Sequence, residues 1–156
     1  MTYMVTFNEE TYQNFIDDVL ENRQKKCFGF FLAKSDSPEH IHSYFFMKKD
    51  KRGEYDFENI DNYYKTHQTA GFLADFQELI ELEKYIRANN LIKVGVFHSH
   101  MRHPAIFDLI DLKLHPTDEL WHLIIAIKNI EKPIIRIFGT NNGEIKEKEF
   151  MVLRGE

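Results

Sequence analysis

Leu91-Ile92-Lys93-Val94-Gly95-Val96-Phe97-His98-Ser99-His100 is a largely apolar run that ends in two histidines one residue apart. A run of this kind predicts a buried strand. Successive strand side chains point to opposite faces, so His98 and His100 share one face and Ser99 looks away. Two imidazoles on one face can hold one ion. Asp111, eleven residues after His100 in the segment Asp108-Leu109-Ile110-Asp111-Leu112-Lys113, offers a third ligand. Zinc accepts neutral imidazole and carboxylate together, and three protein ligands leave a fourth position open, which is the catalytic rather than the structural pattern. An H-x-H pair alone is a weak signal in a chain with eight histidines. The aspartate is what gives the pair weight. A ligating imidazole donates its other ring N–H to a carbonyl or carboxylate, so both histidines are expected to have such a partner.

The pattern resembles the signature of the JAMM metalloproteases, the JAB1/MPN/Mov34 superfamily: H-x-H, seven residues, Ser, two residues, Asp. The resemblance runs from the first helix to the last strands. It implies an α/β fold, a single JAB/MPN-like domain over residues 1–156 with a mixed sheet flanked by helices. It also implies zinc held by His98, His100 and Asp111, and hydrolysis of peptide or isopeptide bonds in a protein or peptide substrate, including ubiquitin-like ones. In that family the serine helps to hold the oxyanion, and a glutamate from an earlier strand is the general base.

This chain departs from the family at both of those catalytic positions. Asp108 stands where the family has serine, and Lys26, three residues before Gly29, stands at the place of the glutamate. A lysine cannot serve as a base unless its pKa is driven far down. Glu21, the nearest upstream carboxylate, closes a predicted helix several residues short of the strand. Asp108 and Asp111 are three apart on a predicted short helix and share a face. Three outcomes compete for Asp108: a fourth ligand that closes the site, a base acting on water at the metal, or a partner for Lys26. Two functional classes follow, a zinc hydrolase and a catalytically impaired binding module that holds a protein partner with or without metal.

Composition sets the outer bounds. The chain has 156 residues, 43% hydrophobic and 29% charged, enough for one core without disulfides. A net charge of −5 and a pI of 5.9 argue against nucleic acid as a partner. Lys48-Lys49-Asp50-Lys51-Arg52 reads as a solvated loop. The single Cys27 excludes an internal disulfide and suits a reducing compartment. No signal peptide and no apolar run near the ~20 residues of a membrane span are visible, so the expectation is a cytoplasmic protein with no membrane association.

Along the chain, Thr6-x-x-Glu9 predicts a capping box and a helix over residues 7–22. A strand over 27–33, a turn at Ser35-Asp36-Ser37-Pro38 and a strand over 41–47 form a predicted hairpin. Residues 50–70 carry no firm pattern. A helix from Phe72 to Asn89-Asn90 precedes the histidine strand, and strands over 121–127, 133–139 and 144–151 follow the short helix. Asn141-Asn142-Gly143 marks a hairpin turn. His103 reads as a solvated loop residue, and His40, His42, His67, His115 and His122 stand at no ligand spacing and read as structural or surface residues. Trp121, Tyr63 and Tyr64 can line a groove or pack. Ser99 faces away from the ligands and is not a nucleophile candidate.

Overall fold

A computed structural model describes residues 4–48, 74–107, 111, 115 and 117–155. Asp108, Tyr63, Tyr64, His67, Phe72 and the 50–70 stretch lie outside the described residues. The chain begins with β1 (Val5–Asn8) and α1 (Glu9–Glu21), continues with the hairpin β2 (Phe28–Lys34) and β3 (Ser37–Phe46), and then enters α2 (Phe76–Asn89). The histidine strand is β4 (Leu91–His100); β5 (Trp121–Ala126), β6 (Ile134–Asn141), β7 (Glu144–Lys148) and β8 (Phe150–Leu153) complete the sheet.

The N-terminus differs from expectation. Val5 and Phe7 are fully buried and alternate with less buried neighbours, the period of a strand, so the chain extends through Thr6 instead of capping there. The Thr6 hydroxyl lies 2.8 Å from His40 Nδ1 across the β1–β3 pair. Asn8 takes the N-cap position without a side-chain cap bond, and Glu9 and Glu10 in the first turn favour the helix through its dipole. The second helix has a conventional start and stop. Asp75 accepts from the Glu78 amide, and Asn90 closes the C-terminus in the left-handed region at φ 54.

The eight strands follow the order β7-β6-β5-β4-β2-β3-β1-β8. The hairpins are antiparallel, whereas β4–β5, β1–β3 and β1–β8 are parallel, so the sheet is mixed. The single strand expected over 144–151 is two strands, broken at Glu149. Lys148 ends β7 at one edge of the sheet order and Phe150 starts β8 at the other. One residue cannot bridge a flat sheet of that width, so the sheet curls until its edges nearly meet. Between β6 and β7, Asn142 at φ 51 and Gly143 at φ 83 provide the two positive-φ positions that a tight hairpin needs.

One face of the sheet packs on α1. Phe15 and Val19 meet Phe31, Phe97, Trp121 and Leu123 in the larger core cluster. Trp121 is fully buried and serves packing rather than a groove. It lies over Gly95, where a Cβ would come within 2.4 Å of the indole. The glycine therefore lets β4 and β5 pair in register. On the other face α2 inserts Leu82 and Ile86 between Phe28, Leu32 and Leu91. Farther along that face Ala105 and Phe107 cover Ile124, Ala126 and Phe138. These elements make an α/β fold, a mixed sheet flanked by two helices. Among the described residues no helix is long and apolar enough to cross a membrane.

Candidate metal centre

A parallel pair of strands needs a crossover, and the one between β4 and β5 begins where the histidines end. It starts at the carboxyl end of β4, and Asp111, in helical conformation, lies back against the end of that strand. One ligand atom from each of His98, His100 and Asp111 lies within 4.8 Å of the others. The His98 Nε2 to His100 Nε2 distance is 2.8 Å, and His98 Nε2 to Asp111 Oδ1 is 3.3 Å. His98 is only 3% exposed. The expected convergence on one face is thus present.

The donor set fits a zinc ion. A tetrahedral ion at ~2.0 to 2.1 Å from its ligands sets ligand atoms about 3.3 Å apart. The His98–Asp111 distance matches that edge, and the two imidazoles need to open by about half an ångström. His100 Nδ1 lies 2.8 Å from the Pro104 carbonyl, which can only accept, so Nδ1 carries the proton and Nε2 presents a lone pair. Two ring nitrogens and a carboxylate oxygen this close together form a donor set that a cation can bridge.

The partner of the other ligand was not expected. His98 Nδ1 lies 2.6 Å from Nε2 of His122, an imidazole rather than a carbonyl or carboxylate. His122 Nδ1 is 3.1 Å from His115 Nδ1, and His115 Nε2 is 2.7 Å from the Leu120 carbonyl. His122 and His115, read from the sequence as scattered histidines, stand directly behind the site. His122 pairs with Val96 across the parallel strands, so it shares a face with His98. The Phe107 ring lies against both His122 and His115. Burial holds His122 well below the ordinary imidazole pKa, helped by His98, His115 and His100. Burial lowers His115 as well, against an upward pull from the Leu120 and Thr117 carbonyls.

Ser99 points to the opposite face, as expected. Its hydroxyl accepts from the Cys27 amide at 2.8 Å, while the Ser99 amide donates to the Cys27 carbonyl. The same antiparallel register pairs Phe28 with His98. Continued by two residues it brings the half-buried Lys26 to the level of His100, on the histidine face of the sheet. Glu21 ends α1 and is exposed. His103 is exposed, its ring centroid 6.2 Å from that of His100, and it is not part of the ligand group.

Beyond His100 the surface opens into a shallow groove of about 720 Å³, with Arg102, Pro104, Lys128, Lys132 and Ile134 among its walls. Ile130 and Ile134 are half exposed along it.

No protein-family model and no curated protein matches this sequence. Solved structures do share its fold. Protein DSY2949 from Desulfitobacterium hafniense superposes with a TM-score of 0.73 at 19% identity, over 98% of this chain and 94% of that one. A protein from Salinibacter ruber gives 0.63 at 16%, over 96% and 92%. AF2198 from Archaeoglobus fulgidus, a JAB1/MPN domain protein, gives 0.54 at 12%, over 98% and 100%. At these identities the likeness is one of fold.

Proposed function

We propose that this chain binds one zinc ion through His98, His100 and Asp111 and hydrolyses peptide or isopeptide bonds at that site, acting on the tail of a ubiquitin-like protein or on a small peptide. The observation that carries the reading is the convergence of the three ligand atoms at the open end of β4. Zinc held there would supply Lewis acidity toward a scissile carbonyl and acidify water. His98 and His100 would hold it through neutral nitrogens, and Asp111 through one negative charge. The groove beyond His100 offers room for an extended chain, and Arg102, Lys128 and Lys132, against Glu131, give its lining a net positive charge suited to a carboxylate-bearing tail. A protonated Lys26 cannot accept a proton, so proton transfer falls to Asp108 in this reading.

The position of Lys26 favours a second reading, in which the site keeps its metal, has lost its base, and the groove holds a protein partner without cutting it. One assay separates the two. Zinc-loaded protein is offered ubiquitin-like isopeptide and peptide substrates. The hydrolase reading expects turnover by the wild type, abolished by Asp111→Ala and by Asp108→Ser. The binding-module reading expects an inert wild type, with activity created by Lys26→Glu combined with Asp108→Ser and less by either change alone.

A further inference from the structure

We infer that the groove beyond His100 selects an acidic peptide segment, one that carries a side-chain carboxylate about three residues from the scissile bond, and that Arg102, Lys128 and Lys132 are the residues that read it. The inference rests on the hydrolase reading above for the place of the reacting carbonyl, and deepens it by naming the substrate class.

Both walls of the groove are tied to the end of the histidine strand. On one side the Pro104 carbonyl lies 2.8 Å from His100 Nδ1 and accepts from the Ile106 amide, also at 2.8 Å, which holds residues 102–104 against His100. On the other side the Ile127 amide donates to the His100 carbonyl at 2.9 Å, and Lys128 follows directly. The turn from Lys128 to Lys132 is braced within itself. The Glu131 amide donates to the Asn129 side chain at 3.1 Å, and the Lys132 amide donates to the Asn129 carbonyl at 3.1 Å.

The floor sets the distance. His100 pairs with Ala126 and Ala126 with Ile134, so the three stand in one row across neighbouring strands. Two strand spacings put Ile134 about 10 Å from His100, the reach of about three residues of extended chain. Ile130 and Ile134, 48% and 51% exposed, offer apolar contact there. The walls set the charge. Arg102, Lys128 and Lys132 are exposed and face one carboxylate in the lining, that of Glu131. Among the described residues none of the three cations is in a salt bridge. Unpaired cations along a groove attract carboxylates and keep lysine and arginine out. They stand on both walls of an open groove rather than at one closed end, which matches the side chains of a passing segment better than a single chain terminus.

The test separates binding from turnover. Fluorescein-labelled peptides of one length carry Glu, Gln or Lys at the same two positions, each with a free or an amidated C-terminus, and their binding to metal-free wild type is read by fluorescence anisotropy. The Glu peptide is expected to bind about 10-fold tighter than the Gln peptide, with the Lys peptide weakest, no effect of the C-terminus, and smaller differences at high salt. Lys128→Glu combined with Lys132→Glu changes only exposed side chains and should reverse that order, whereas Ile134→Ser should weaken the Glu and Gln peptides alike. Equal binding of the Glu and Lys peptides, no binding of any peptide, or an order that survives the double charge reversal overturns the inference. So does a preference that follows the free C-terminus instead of Glu, which would give the cations a chain-end carboxylate. Zinc-loaded wild type is then offered the same peptides, and mass spectrometry is expected to place the cut about three residues from a Glu. Turnover of Glu and Lys peptides at equal kcat/KM overturns the inference and leaves the hydrolase reading standing. The expected order of binding without any turnover supports the groove's preference and overturns the hydrolase reading instead.

Discussion

Ser99 sits between His98 and His100 and yet belongs to the other side of the sheet. Its buried hydroxyl is the acceptor for the Cys27 amide, at the point where β2 begins. Ser99→Ala leaves that amide without its partner, and the cost of a buried unsatisfied donor is about 1 to 3 kcal/mol. Urea denaturation is expected to show a loss of this size with unchanged zinc binding, whereas a loss of zinc binding would place Ser99 in the site. At this scale the sequence was partly legible. Strand periodicity alone puts His98 and His100 together and Ser99 apart. His122 was not legible, although a histidine inside Trp121-His122-Leu123-Ile124-Ile125 is a polar residue in an otherwise apolar strand. Its meaning depends on β5 lying parallel to β4 in one particular register, and that is a long-range fact. Trp121 shows the same limit, since only its place opposite Gly95 decides between packing and groove.

Among the elements, the β6–β7 hairpin was the most predictable, because Asn142 and Gly143 take the conformation their residue types favour. Gly143→Ala puts a side chain on a backbone at φ 83 and should destabilise the protein by about 1 kcal/mol by thermal denaturation. No measurable change would mean that the turn relaxes at no cost. Less predictable were β1 and β8, four residues each, which exist because they pair with one another and cover Phe7 and Phe150. The histidines linking β4, β5 and the crossover give a pH dependence. The pKa values of His122 and His115 are lowered in the folded chain, chiefly by burial, and revert to the ordinary 6.5 on unfolding. Below 6.5 the unfolded chain takes up protons that the folded chain does not, so stability falls with acidification and is unaffected by these groups above it. The urea midpoint of metal-free protein is expected to drop between about pH 7 and pH 5.5. His122→Gln should shrink that drop. A drop of unchanged size in the variant would assign it to other groups.

For the molecule as a whole, the curled sheet holds its ligands on two separate pieces of chain, a strand end and the crossover that follows it. An ion bound between them therefore stabilises the folded state by mass action, about 2.7 kcal/mol at a free concentration 100 times the dissociation constant. The fold itself can be read from the order of elements and the spacing of His98, His100 and Asp111, and it is similar to that of the JAB1/MPN domain protein AF2198. The chemistry is not legible in the same way, because Lys26 and Asp108 stand where the resemblance implied a glutamate and a serine. What carries the account is the ligand triad. The direct measurement is a zinc titration of chelator-stripped protein, followed by calorimetry and closed by elemental analysis after gel filtration. The account predicts one zinc per chain, lost in Asp111→Ala and in the His98→Ala, His100→Ala pair. No bound zinc, or one zinc retained in those variants, would contradict it.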